Sequence, residues 1–224
     1  MKTSWPRCET TRPIRAGSVR ARAFKKAPLS RTALVASSGD DDATDLQLHS
    51  VIQQLLVGGN ETTTSLITNA MWRLLEVPTR WHRLRDEPSR IPNTLEESLR
   101  FAPPVLGLYR STTRAVTVRG VEIPENSKVF LSYAAANRDP EIFENPNVFD
   151  QDRSPVSLRE HLSFGHGIHF CISAALARLE ARIALETLAR RIPDLSIPDP
   201  GERIAPFFLW GRRKLPMRRD SPRS

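Results

Sequence analysis

A cysteine ends the glycine-rich segment FGHGIHFC (residues 164–171), and the apolar spacing of residues 172–192 behind it predicts one long helix. The thiolate form of cysteine is the metal ligand, and the start of a helix favours that form through its free N–H groups and positive dipole. Gly165 and Gly167 can adopt positive φ and let the backbone approach a flat partner closely. One thiolate presented in this way suits the axial position of a haem iron, with Cys171 as the ligand.

The residue types alone leave two other interpretations of Cys171 open. An isolated cysteine is often simply buried in a hydrophobic core. His161, His166 and His169 also lie close to Cys171 in sequence and can ligate zinc. Their spacing lacks the paired C-x₂-C and H-x₃₋₅-H pattern of structural zinc sites. The choice among core, zinc and haem therefore depends on the surrounding octapeptide and on the sequence upstream.

The stretch GGNETTT (residues 58–64) stands in the middle of a segment with helical periodicity. A glycine there costs about 1 kcal/mol relative to alanine, and threonines are also poor helix formers. Such a run is often found at a kink or where a ligand approaches. A threonine hydroxyl beside an acid can also bond to the main chain and open the helical ladder. A face of small residues for helix packing explains the same run.

Glu97 and Arg100 form an E-x-x-R pair, and residues three apart share one face of a helix. A surface ion pair explains this spacing equally well. A capping box from Thr94 to Glu97 is a further alternative.

Together these motifs resemble those of the cytochrome P-450 family, the haem-thiolate monooxygenases. Residues 164–173 match the haem-binding pattern F-G-x-G-x-H-x-C-x-G except at the last position, where Ser173 replaces glycine. Residues 58–63 match the oxygen-activation motif A/G-G-x-D/E-T-T, and AAANRDP (residues 134–140) matches a stretch typical of bacterial members. The motifs occur in family order, and the resemblance runs from about residue 29 to residue 218.

The resemblance implies that Cys171 ligates the iron of haem b. It also implies that Glu61 and Thr62 relay protons to bound dioxygen. Arg110 and His169 would bind the haem propionates, since a cation or an N–H donor compensates a carboxylate removed from water. The expected haem contacts are Cys171, His169, Arg110, Phe164, Gly165, Gly167 and Gly59.

The resemblance further implies a structural group and a set of partners. Glu97 and Arg100 would be a buried pair behind the haem loop, with Arg153 as the third member. A small organic substrate is expected, and a ferredoxin-type carrier with its reductase would deliver the electrons. Arg178 and Arg182, on one helix face, can dock an acidic carrier, although a solvated face is an equal alternative.

Composition excludes several classes of protein. The chain has 224 residues, 39% hydrophobic and 26% charged, which suits a globular protein with a sizeable core. The net charge of +8 comes mainly from residues 1–28, which hold eight basic side chains and one acidic one. The nearly neutral remainder argues against nucleic-acid binding. No apolar run approaches the roughly 18–20 residues of a membrane span. Two cysteines suggest no disulfide framework, so a cytoplasmic location is expected.

Periodicity predicts a mainly α protein with a small β-sheet, an α+β class that agrees with the cytochrome P-450 fold. One helix of about thirty residues is expected from Asp45 to just before Pro78. Residues 139–163 are expected to be irregular. Shorter helices are predicted at residues 78–86, 94–101, 133–137 and 172–192, and strands at 115–118, 121–123, 129–131 and 207–210.

Family members are roughly twice as long, so we expect an N-terminally truncated cytochrome P-450 domain. Residues 1–28 would be a basic, disordered leader, 29–218 the haem-binding part and 219–224 a tail. The expected function is that of the C-terminal portion of a monooxygenase, which inserts one oxygen atom of O₂ into an organic substrate. The alternative is a non-catalytic remnant that binds haem weakly or serves as an interaction module.

Overall fold

The computed structural model describes residues 45–192 and 194–219, of which residues 45–54 belong to a first unit and the others to a second, compact one. The expected leader, residues 1–28, and most of the expected tail lie outside the described residues. In the first unit the described part is the beginning of the long helix. No helix within residues 45–192 and 194–219 is long and apolar enough to cross a membrane.

Helices dominate the described residues and position the candidate site. The helix α1 spans 31 residues and confirms the predicted long helix. The helix α3 begins three residues before the predicted start, because Pro92 is accommodated in its first turn, where a missing N–H costs nothing. Thr94 therefore lies inside α3, and the capping-box alternative is wrong. The α-helices are α1 (Asp45–Leu75), α2 (Pro78–Asp86), α3 (Ile91–Phe101), α4 (Tyr133–Ala136), α5 (Pro155–Leu158) and α6 (Ala174–Arg191), with 3₁₀ turns at Pro88–Arg90 and Gly167–His169.

Within the described residues, the β-structure consists of four antiparallel two-stranded pairs, in agreement with the small β component of the expected fold class. The pairs are β1 (Gly107–Ser111) with β4 (Lys128–Ser132), β2 (Val116–Val118) with β3 (Val121–Ile123), β5 (Leu195–Ser196) with β8 (Arg218–Arg219) and β6 (Glu202–Arg203) with β7 (Arg212–Lys214). The predicted strand at residues 207–210 is wrong. Leu209 N donates to Pro206 O and closes a turn there, so that only one bridge, to Val105, remains.

The hydrophobic core of the second unit lies among α1, α2, α3 and α6. Its side chains recur at helical spacing, so each helix contributes one apolar face. Core positions include Leu66, Met71 and Leu74 of α1, Trp81 and Leu84 of α2, Leu95 and Leu99 of α3, and Ala181 and Leu185 of α6. This packing holds α3 against α6, the helix that follows Cys171.

The C-terminal segment approaches α1 closely at Gly211. Asn69 Nδ2 of α1 donates to Trp210 O at 2.8 Å and to Ala102 O at 3.0 Å. A Cβ atom on Gly211 would lie 2.1 Å from Ser65 Oγ and 2.6 Å from Ser65 Cβ. Only a residue without a side chain allows this distance between the two segments.

We predict that Gly211→Ala lowers the free energy of unfolding by about 1–3 kcal/mol, because α1 and the C-terminal segment must move apart. The matched control is Gly59→Ala, whose Cβ meets no atom within 4 Å and which should raise stability by about 0.5–1 kcal/mol in a helix interior. Urea unfolding followed by circular dichroism measures both. Equal stability of Gly211→Ala and the unmodified chain would contradict the close approach.

Candidate functional site

Cys171 closes a tight loop that returns to the position of Phe164. The Cys171 N–H donates to Phe164 O at 2.9 Å, and the Phe170 N–H donates to Gly167 O at 3.0 Å. Gly165 and Gly167 have φ of +74° and +72°, a left-handed conformation that glycine adopts without steric cost. The loop therefore turns back twice within three residues and presents the cysteine just before α6.

The thiol of Cys171 is free and half-buried. Its sulfur lies 3.4 Å from the Ser173 hydroxyl oxygen, so the hydroxyl can donate a hydrogen bond to a thiolate. Ser173 has φ of −94°, which any residue adopts. Serine therefore occupies this position, where the family motif has glycine, without backbone strain.

Large apolar side chains close to Cys171 in sequence are exposed. Ile168 is 97% exposed, Ile172 is 93% exposed and Phe170 is about half exposed. A Cβ at Gly167 would meet no atom within 4 Å. A soft thiolate donor flanked by uncovered apolar side chains is the donor chemistry and the surface that a haem requires. The residues present therefore fit this cofactor.

The histidines near Cys171 are arranged differently from zinc ligands. Within the part of the chain that the structure describes, no three His, Cys, Asp or Glu side chains are placed to hold a metal ion. His161 is buried and its Nε2 lies 3.0 Å from Glu96 Oε2, whereas His166 and His169 are exposed. The geometry therefore does not favour the zinc interpretation.

Behind the loop, the fully buried carboxylate of Glu97 accepts four hydrogen bonds. Its Oε2 accepts from Arg100 Nε at 2.7 Å and from Arg153 Nε at 3.0 Å. Its Oε1 accepts from Arg100 Nη2 at 2.7 Å and from the Asp150 N–H at 2.9 Å. The two guanidinium groups compensate a charge that is completely removed from water.

Arg100 and Arg153 extend this group into the irregular region before the loop. Arg100 Nη1 donates to Asn137 O and Pro146 O, both at 2.9 Å. Arg153 Nη1 donates to Glu144 O at 2.6 Å. These bonds explain how residues 139–153, which have little regular secondary structure, keep a defined conformation.

Glu96, the neighbour of Glu97, belongs to a second polar group that the sequence reasoning missed. It accepts from Arg178 Nε at 2.7 Å and from Arg178 Nη2 at 2.9 Å, in addition to its contact with His161. The adjacent acids Glu96 and Glu97 in α3 were the one feature of the sequence that pointed to this second group. Arg182 is paired with Glu186 at 2.7 Å, so the charges of both candidate docking arginines are compensated within the chain.

The threonine-rich stretch does not interrupt α1. The helix continues through residues 58–64, and the Thr62 hydroxyl donates to Gly58 O at 2.5 Å. Thr62 is half-buried and Glu61 is exposed. No hydrogen bond within the described residues joins either of them to the cysteine loop.

Arg110 lies on β1 and faces an open cleft. The cleft has a volume of about 460 Å³ and is lined by Tyr109, Arg110, Ser111 and Lys128. Arg110 Nη1 donates to Tyr109 O at 2.9 Å and is exposed, so its other N–H groups can reach a ligand. Two cations at one cleft suit a carboxylate.

Comparison with known proteins shows the family. The cytochrome P450 family model matches residues 19–193. Cytochrome P-450 107B1 of Saccharopolyspora erythraea is 43% identical over 192 residues, which are 84% of this chain and 47% of that protein. Erythromycin C-12 hydroxylase of the same organism is 41% identical over 165 residues, 73% of this chain and 41% of that protein.

A solved structure extends the similarity to the fold. CYP109E1 of Bacillus megaterium in complex with testosterone superposes with a TM-score of 0.76 at 37% identity, over 80% of this chain and 49% of that one. The chain belongs to the cytochrome P-450 family and has its α+β fold. It spans about half the length of the relatives that it matches.

We predict that Arg100→Ala lowers the free energy of unfolding by about 3–5 kcal/mol, because it leaves the buried Glu97 charge with one guanidinium instead of two. Arg182→Ala removes the same side chain from an exposed pair with Glu186 and should cost less than about 1 kcal/mol. Urea unfolding compares the two variants. Similar losses of unfolding free energy in the two variants would show that the Glu97 group contributes no more to stability than a surface ion pair.

Proposed function

We propose that this chain holds haem b through the Cys171 thiolate and contributes the cysteine side of a monooxygenase site. The observation that carries the proposal is the Phe164–Cys171 turn, which presents one half-buried thiol between exposed apolar side chains. In the reaction, one oxygen atom of O₂ enters a C–H bond of an organic substrate as a hydroxyl group. The other oxygen atom leaves as water after two electrons and two protons are delivered.

The loop residues would shape and orient the cofactor site. The bound haem would supply dioxygen activation, and the Cys171 thiolate would hold its iron. Phe164 is partly buried against the core and anchors the loop, while the left-handed Gly165 and Gly167 would let its backbone approach a flat ring. His169 and Arg110, both exposed, would bind the propionates.

Glu61 and Thr62 are proposed to deliver protons. Glu61 is exposed to water, and the half-buried Thr62 hydroxyl can both accept and donate hydrogen bonds. A Cβ atom on Gly59 would meet no other atom within 4 Å, so there is open space beside α1 in which a ligand can approach the helix. Protons would thus pass from water through Glu61 to Thr62.

Glu97, Arg100 and Arg153 are proposed to be structural. Their charged atoms are buried and saturated with partners, so none is available to a substrate. Their role is to hold the region before the loop against α3.

The proposed substrate is a small organic molecule, and the proposed electron source is a nicotinamide nucleotide acting through a ferredoxin-type carrier and its reductase. Two relatives support this substrate class. One is named as an erythromycin hydroxylase, and another was solved in complex with testosterone.

We predict that Cys171→Ser abolishes thiolate ligation, because an alcohol does not replace a soft thiolate on iron. The purified chain reconstituted with haem should show the strongly red-shifted Soret band of a thiolate complex when reduced under carbon monoxide, and the variant should lose it. Cys8→Ser, which removes the other cysteine, is the control and should keep the band. Failure of the unmodified chain to bind haem would favour the non-catalytic alternative.

We predict that Thr62→Ala retains haem but slows oxygen insertion on the order of 10²-fold and releases more peroxide per electron, because proton delivery is impaired. Thr64→Ala is the matched control, since Thr64 lies on the same helix, is exposed and bonds back to Asn60 O in the same way. Peroxide formed per electron consumed measures the effect. Equal peroxide yields from the two variants would contradict the relay.

A further inference from the structure

The carboxylate of Glu96 forms hydrogen bonds with residues on both sides of the cysteine loop. Glu96 lies on α3 and is part-buried. Its Oε2 contacts His161, ahead of the loop, and Arg178, in the second turn of α6 behind it. The residues at the two ends of the loop that carries Cys171 are therefore both hydrogen-bonded to the Glu96 side chain.

The bond to His161 has a defined direction. The Ser163 N–H donates to His161 Nδ1 at 3.3 Å, so Nδ1 is the acceptor nitrogen of the ring. Nε2 then carries the hydrogen and donates to Glu96 Oε2 at 3.0 Å. His161 is buried, and its orientation is fixed by bonds at both ring nitrogens.

The bond to Arg178 is bidentate and includes a contact with the loop. Its guanidinium donates two parallel hydrogen bonds to Glu96, at 2.7 and 2.9 Å. The same guanidinium lies over the Phe164 ring, 4.5 Å from its centroid. Phe164 O in turn accepts the hydrogen bond of the Cys171 N–H, so Arg178 is one contact removed from the cysteine turn.

We propose that Glu96 is a positioning residue that closes the base of the Cys171 loop through His161 and Arg178 and thereby holds Cys171 where it can ligate haem. This inference rests on the proposed haem-thiolate function for its purpose, while the closure itself is a property of the haem-free chain. It differs from the buried Glu97 group, which anchors the region before residue 154.

The charge on Glu96 is maintained by these contacts. Burial alone would raise the pKa of its carboxyl group, but hydrogen bonds from His161 and Arg178 outweigh burial and lower the pKa to about 2. Glu96 is therefore ionised at neutral pH, and its hydrogen bonds are charge-assisted.

Hydrogen exchange of the haem-free chain, followed by mass spectrometry, tests the closure. Glu96→Gln keeps the shape of the side chain and removes its charge. It should speed exchange of the amides in residues 162–173 by roughly tenfold or more. Exchange in the core parts of α1 and α3 should be unchanged. Glu186→Gln, which breaks the exposed pair with Arg182, is the matched control and should leave residues 162–173 unaffected.

Unchanged exchange in residues 162–173 would overturn the proposal, as would an equal increase throughout α1 and α3, which indicates general destabilisation. Arg178→Gln provides a second variant if Glu96→Gln does not fold, and it should loosen the same segment. After haem is added, Glu96→Gln should convert part of the red-shifted thiolate Soret band into a histidine-like band. A chain that shows loop loosening but never forms the thiolate band would support the closure and reject the proposed function.

Discussion

The carboxylate of Glu97 is completely removed from water, and the surrounding chain must compensate its charge because an unpaired buried charge is prohibitively unfavourable. Arg100 and Arg153 supply that compensation, and their remaining N–H groups need acceptors of their own. Backbone carbonyls of the irregular region provide them, at Asn137, Pro146 and Glu144 among others. One buried acid on α3 thus determines the conformation of a long segment that has few regular hydrogen bonds.

The preceding residue of α3, Glu96, applies the same principle to the cysteine loop. Glu96 points to His161 and Arg178, whereas Glu97 points to Arg100 and Arg153, so two adjacent carboxylates serve two segments. Between His161 and Arg178 the chain is free to make the two left-handed glycine turns that present Cys171. A rigid base with a glycine-rich tip is suited to holding a thiolate against a flat cofactor, since the site is on a loop but its supports are on helices.

Sequence reasoning was strongest where one local pattern determined the outcome. The fold class and the long helix α1 follow from apolar spacing and are confirmed, and family membership follows from motifs in a fixed order. Strand β1 was missed because Gly107 and Arg110 break the apolar alternation. The Glu96 contacts were missed because they join residues 65 and 82 positions apart, and no local pattern records such pairing. The strand predicted near Phe207 was wrong because a local turn there prevailed over the β propensity of its residues.

The central claim is that Cys171 ligates the iron of a haem, and X-ray absorption at the iron edge of the haem-reconstituted chain tests it directly. The method reports the elements bonded to iron without requiring turnover, substrate or a redox partner. Our account predicts one sulfur neighbour in the first coordination shell, together with the ring nitrogens of the haem. A first shell made of nitrogen and oxygen alone would contradict the account.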